Sequence, residues 1–310
     1  MTMDDKKPLV AISACLAGEA VRYDGQHKQM PELLNSLKQH VELRTLCPEV
    51  GAGLGVPRAP VQLVGSIGRS IRAQGVDNPD LDVTDALYGF SRNWLQNNRD
   101  VCGAVIKARS PSCGYQTTPL FTDGRLVGYA DGLFAHSVQQ ADFPFPLIDE
   151  EKWVDQHLRA GFIKQLMFVW RWRQLADTSA TSLQVLHARY KYLLMMHSSS
   201  ACTELGRVIA NTSEKNAGLR AQLYYNGVLT LLSQEVIHGR VVNVLQHMAG
   251  YLKQQKKLHL SVEAYAAQEK TLHDLIASFQ EILAVKANKY LQQQVLLFPD
   301  LIEREWAYVE

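Results

Sequence analysis

Cysteine is scarce in this chain, five in 310 residues and an odd number. That is too few for a disulfide framework and suits a reducing compartment, where thiols are buried, bind metal or do chemistry. Net charge is nearly absent, at +1, which removes a global field as a reason to bind nucleic acid or membrane. Long apolar runs are missing as well: nothing approaches the roughly 20 residues that a membrane-spanning helix needs. The first eight residues lack a basic start, an apolar stretch and a small-residue cleavage site. The expectation is a cytoplasmic protein with no membrane partner. No phosphate-loop or dinucleotide glycine pattern occurs, and the length predicts two domains. Charge is uneven between halves: residues 151–310 carry 18 Lys and Arg against 14 acidic residues, and the first 150 carry 14 against 17.

The first half alternates strand-like and helix-like segments. Residues 8–14 form a continuous apolar run, as in a strand buried on both faces, and the run breaks at Cys15. Helical spacing follows over 30–40 through Leu33, Leu34 and Leu37, and 41–46 alternates with period two until Cys47-Pro48 stops it. Asp82 and Thr84 are candidate N-caps for a helix reaching about Asn97, with Leu87, Phe90, Trp94 and Leu95 on its apolar face. Residues 101–107 make a third strand ahead of Ser110-Pro111-Ser112-Cys113. This β-α-β-α-β order predicts an α/β domain with a mainly parallel sheet flanked by helices.

Open sheets of this kind bind ligands beyond the carboxyl ends of their strands. Cys15, Cys47 and Cys113 all fall there, and strands about 4.8 Å apart would set their loops side by side. A single cysteine reads as a small buried hydrophobe, and Cys102 and Cys202 are taken that way; three at equivalent positions argue for a shared metal. Structural zinc takes four Cys or His ligands, often in close C-x-x-C pairs, which this chain lacks. Iron–sulfur cubanes take cysteine thiolates, usually four, and three would leave one iron open to a substrate.

Three motifs carry a resemblance: Ser13–Gly25 (SACLAGEAVRYDG), Cys47–Pro60 (CPEVGAGLGVPRAP) and Lys107–Gly114 (KARSPSCG). Together they make the first 140 or so residues resemble the thiouracil desulfidase (TudS-like) family. The resemblance implies a [4Fe-4S] cluster held by Cys15, Cys47 and Cys113, with the sulfur of a thiolated pyrimidine on the open fourth iron and non-redox release of sulfide. Glu49, two residues after Cys47, is the candidate base for water, its pKa raised by desolvation; a turn carboxylate is the alternative. Ser110 and Ser112 are candidate catalytic hydroxyls for substrate or proton relay, against capping of the turn around Pro111. Ser13 and Asp24 near Cys15, with Arg22 and Arg58, are candidate substrate-binding residues, the arginines balancing cluster charge or holding an anion; structural salt bridges are the alternative. Gly18, Gly25, Gly51, Gly53 and Gly114 fit turns or close backbone approach. Residues 65–78 are expected to be a mobile flap over the site.

The second half reads as all-helical, with apolar residues at three- and four-residue spacing over 154–176, 182–196, 205–210, 221–232, 240–253, 262–283 and 286–296. Its segments His187–His197, Leu205–Asn211 and Asn243–Tyr251 resemble the YbgA-like helical domain often fused to such desulfidases, so the expected domains are 1–148 and 149–310. A linker is placed near 143–146 and 149–153. His187, His197 and His247 with Tyr190 and Tyr224 are read as core or capping residues rather than a metal site. Arg189, Lys191, Arg207, Arg240, Lys253, Lys256 and Lys257 form a basic face, solvated or facing nucleic acid. The expected function, which the resemblance implies, is desulfuration of thiolated pyrimidine bases; tRNA thiouridine is the rival substrate, a non-catalytic metal-stabilised binding module the other alternative, and the oligomer a monomer or homodimer.

Overall fold

Strand β1 (Leu9–Ser13) is the middle of the first sheet because its apolar run has no polar face to offer solvent. The structure, a computed structural model, describes residues 6–306 apart from positions 67, 69, 211–215 and 253–255. The N-terminal reading over the first five residues, Lys253 of the basic face and Asn211 of the helical motif lie outside the described residues. Two compact units meet between Asp155 and Gln156.

In the first unit, β1 leads into a single turn, α1 (Ala14–Ala17), which Gly18 ends at φ +102°, where a side chain would also collide with Gln29. Then come α2 (Pro31–His40), β2 (Glu42–Leu46) and a second short turn, α3 (Pro48–Gly51), started by proline at its first position. Strands β3 (Val61–Gly65) and β4 (Ile71–Gly75) precede α4 (Thr84–Asn97), the fully buried β5 (Val101–Ile106), β6 (Thr118–Thr122), β7 (Arg125–Ala130), α5 (Leu133–Gln139) and β8 (Leu147–Asp149). The first sheet runs β2-β1-β5-β8 and every pairing in it is parallel, so the α/β reading with flanking helices holds. β1 pairs Ser13 with Leu46 of β2 on one side and Ile12 with Val105 of β5 on the other.

Three expectations are corrected here. The segment 149–153 is no linker: Asp149 closes β8, buried on the edge of the first sheet, its carboxylate accepts from the Glu151 and Lys152 amides, and Trp153 is buried. Within the segment 65–78, expected to be a mobile flap, Ile71–Gly75 is β4, paired antiparallel with β3 in a second sheet ordered β4-β3-β6-β7. Its buried Leu63, Ala73 and Leu120 pack with Val83 and Leu87 of the α4 segment and with Leu133, and that apolar burial holds the ribbon down. Asp82 and Thr84 do not cap α4, whose N-cap position is Val83. Asp82 accepts from the Thr84 amide and pairs with Arg72, while Thr84 Oγ1 accepts from the Ala73 amide, so both tie the helix start to β4.

The second unit contains α6 (Gln156–Arg173), α7 (Ala180–His197), α8 (Ser199–Ala210), α9 (Ala217–Leu232), α10 (His238–Gly250), α11 (Lys256–Ala266), α12 (Leu272–Val285), α13 (Lys289–Gln292) and α14 (Leu301–Trp306), and no strand among its described residues. The single helix expected over 262–283 is two: Thr271 accepts from the Asp274 amide and caps α12, stopping α11 short. The helix expected over 286–296 shrinks to α13, capped by Asn288. Buried Arg171 anchors α14 to α6 by a forked bond to Glu303, with Tyr190 and Asp300 as further partners. Among the described residues no helix is long and apolar enough to cross a membrane.

Candidate metal and catalytic site

Three adjacent strands of the first sheet each hand over to a cysteine. Cys15 lies in the turn after β1, Cys47 occupies the N-cap of α3 directly after β2, and Cys113 sits in the loop after β5. None of the five cysteines is disulfide-bonded, and Cys15 and Cys113 are buried while Cys47 is half-buried. Burial pushes the Cys15 thiol up to about 11, with the neighbouring Cys47 adding to the shift and Lys107 opposing it. Cys113 is raised well above its ordinary value, first by burial; a bond from Ser13 opposes this, and Cys47 and Cys15 reinforce it. Cys47 is raised by burial too. The three thiols therefore feel one another across strand ends. Cys102 is buried in β5 with its sulfur 3.3 Å from the Asp100 carbonyl, as a core residue is expected to be. Cys202, buried in the helical unit, contacts the Lys191 carbonyl and His187.

The Cys113 loop is closely tied down. Ser110 Oγ accepts from the Ser112 and Cys113 amides, Thr118 Oγ1 donates to the Ser110 carbonyl, and the amides of Leu133 and Phe134 donate to the carbonyls of Pro111 and Ser112. The start of α5 thus fastens this loop, and a Cβ on Gly132 would stand 2.5 Å from the Ser112 carbonyl carbon. Ser13 Oγ accepts from the Lys107 amide at 2.9 Å and bonds Cys113, linking β1 to the end of β5.

Glu49 and Ser112 come together although 63 residues apart: Ser112 Oγ, fully buried, donates to Glu49 Oε1 at 2.9 Å. Arg58 holds the other oxygen, Oε2, through Nε at 2.8 Å and a terminal nitrogen at 2.6 Å, and its remaining nitrogen donates to the Val21 and Gly55 carbonyls. The carboxylate expected as a base at Glu49 is one arm of a largely buried ion pair with Arg58. Arg58 is spent on that clamp, and Arg22 and Asp24 pair with each other at 3.4 Å in the turn closed by Gly25. The hydrogen bonds of Ser110 match the turn reading. Lys107 and Glu150 were given no role from the sequence, yet their ion pair lies within electrostatic reach of Cys15; Lys107 opens the third motif, whereas Glu150 carries no sequence signal.

Among the described residues no three His, Cys, Asp or Glu side chains form a group that would hold a metal ion. A cubane makes a different demand, since each thiolate binds its own iron and the ligands surround a volume rather than meet at a point. Three soft thiols on neighbouring strand ends, whose thiolates would repel one another, fit that demand, because a positively charged cluster offsets that repulsion and draws off their protons. The histidines of the helical unit stand apart: His187 is beside Tyr224, His197 beside Lys164 and His247 beside Tyr192.

The 2-thiouracil desulfurase family model matches residues 10–151, and that of a protein family of unknown function, DUF1722, matches residues 191–300. The chain is 27% identical over 144 residues to the uncharacterized protein YbbK of Bacillus subtilis, covering 44% of this chain and 92% of that one. It is also 27% identical to the solved [4Fe-4S]-dependent thiouracil desulfidase TudS, covering 48% of this chain and 93% of that chain at a TM-score of 0.38.

Proposed function

From a first half that matches the 2-thiouracil desulfurase family, we propose that the N-terminal unit, acting in a reducing cytoplasm, removes sulfur from thiolated pyrimidine bases, turning thiouracil into uracil with release of sulfide. The observation that carries the reading is the placement of Cys15, Cys47 and Cys113 at the ends of three neighbouring parallel strands, beside the Glu49–Ser112 pair. These cysteines would hold a [4Fe-4S] cluster. Such a cluster supplies an iron with room for a soft thiocarbonyl sulfur and draws electrons from the adjacent carbon. The balance is a hydrolysis: water gives its oxygen to carbon, the C–S bond breaks, and sulfur leaves as hydrogen sulfide with no net oxidation or reduction. Ser112 passes a proton from the attacking water to Glu49, and Arg58 keeps the accepting carboxylate aimed. Anaerobic reconstitution with counts of iron and sulfide, followed by turnover of 2- and 4-thiouracil, tests this. Failure to take up iron, or uptake without sulfide release from any thiocarbonyl, would leave a metal-stabilised binding module.

A second reading, thiouridine within tRNA as substrate, draws on the helical unit. There the exposed ring of Tyr251 packs against His247 at 5.5 Å and Tyr290 at 5.9 Å, an exposed aromatic surface of the kind on which bases stack. His247→Ala with Tyr251→Ala would then slow desulfuration of thiolated tRNA and leave free thiouracil turnover unchanged. Equal effects on both substrates would discard it.

A further inference from the structure

The second sheet of the N-terminal unit carries a cleft of its own, about 520 Å³, within the range of small-molecule sites. None of the three candidate ligand cysteines lines it, nor do Glu49, Arg58 or Ser112. Its floor is apolar, from Leu120 and Leu133, both buried in the core beneath the sheet. Its walls are aromatic and polar: Tyr88 of α4 faces His136 of α5 with ring centres 6.3 Å apart, and the exposed Tyr129 of β7 completes the rim.

Arg72, Asp85 and Asp131 bring charge of both signs to the lining of the cleft. Arg72 gives its Nε to Asp82 and also lies within electrostatic reach of Asp85, so a guanidinium and a second carboxylate stand together on this wall. Asp131, also in the lining, uses Oδ1 to accept from the Gln116 amide at 2.8 Å. A flat ring that carries an N–H beside a carbonyl matches this arrangement. Its face packs on Tyr88 or His136, its N–H donates to a carboxylate, and its carbonyl accepts from the guanidinium. A simple cation would meet the carboxylates and also the Arg72 charge. A purely apolar ring would cover these charged groups without offering them a hydrogen bond.

We propose that this cleft is a binding site for a planar nitrogen heterocycle of the lactam type, the ring chemistry of a pyrimidinone, separate from the cysteine site. It rests on the cleft's own residues, but it bears on the proposed reaction, because one wall belongs to the chain segment that fastens the Cys113 loop. Gln116 follows Cys113 by three positions, and the Gly132 amide, next to Asp131, donates to the Gly114 carbonyl at 2.7 Å. A ring seated against Asp131 therefore braces the loop that carries Cys113.

The test is equilibrium dialysis of full-length, cluster-reconstituted protein with uracil, paired with two substitutions at exposed positions, His136→Ala and Asp85→Asn, and with Cys113→Ala. The proposal expects a uracil site that the first two weaken about tenfold each and that Cys113→Ala leaves in place. Far-ultraviolet circular dichroism checks that each variant is folded, and Tyr88→Leu gives a further variant should either lose structure. Absence of uracil binding to the wild-type chain overturns the proposal. So does a single site that vanishes with Cys113→Ala and ignores the cleft substitutions. Thiouracil turnover is measured on the same samples: a chain that binds uracil through the cleft yet releases no sulfide removes the reaction and keeps the site, and the reverse outcome removes the site and keeps the reaction.

Discussion

Glu49 has two oxygens with different duties, one clamped by Arg58 and one receiving Ser112. Glu49→Gln keeps the shape and removes the proton acceptor, so turnover should fall by about 100-fold or more while iron content stays at the wild-type level. Arg58→Lys loses the forked geometry and should lower kcat less severely, with iron again retained. A residue of the helical unit gives a pH signature. His197 is fully buried with Nε2 3.5 Å from Lys164 Nζ, and burial, reinforced by the charges of Lys164 and Arg240, pulls its imidazole down to about 3. An unfolded histidine titrates near 6.5. Between these values the unfolded chain binds the additional proton, so stability is complete above about 6.5 and drains away as pH falls toward 3, by a few kcal/mol in all. Denaturant midpoints measured across that window should show the slope, and His197→Asn should flatten it whatever it does to the neutral-pH value.

At the scale of elements, the most exacting contact is the start of α5 against the Cys113 loop. Gly132→Ala forces a methyl group into the Ser112 carbonyl, so the variant should lose cluster loading in iron assays as well as thermal stability. The strands that carry the cysteines were legible because each is an apolar run that ends abruptly. β8 was not, since its three residues follow Phe-Pro-Phe-Pro and look like a tether; only partnership with β5 makes them a strand. The second sheet did leave a mark, the Asp123-Gly124 turn between β6 and β7, with both residues at positive φ as a tight hairpin requires. The partnership of Glu49 with Arg58 and Ser112 could not be read along the chain, because the loop after β5 returns to α3 only through sheet order.

For the molecule as a whole, the chain divides into two compact units, each with buried apolar residues of its own. In the helical unit Arg171 joins the last described helix to the first, and Arg171→Met would leave the buried Glu303 carboxylate with no cation beside it and the Asp300 amide as its remaining donor. A loss of roughly 3 kcal/mol is expected, read by chemical denaturation with helical signal as the probe. Removing iron with a chelator under anaerobic conditions should act on the other unit, ending sulfide release and leaving the helical signal as it was.

The order β2-β1-β5-β8 also sets a timetable. The middle strand is the first to leave the ribosome, yet its cysteine waits for β5 and the loop beyond it, and that loop is fastened only when α5 has been made. No shorter nascent chain presents the three thiols together. A cluster held as proposed would then be delivered only after the sheet has closed, and a stalled or truncated product would carry loose thiols instead of a half-built centre.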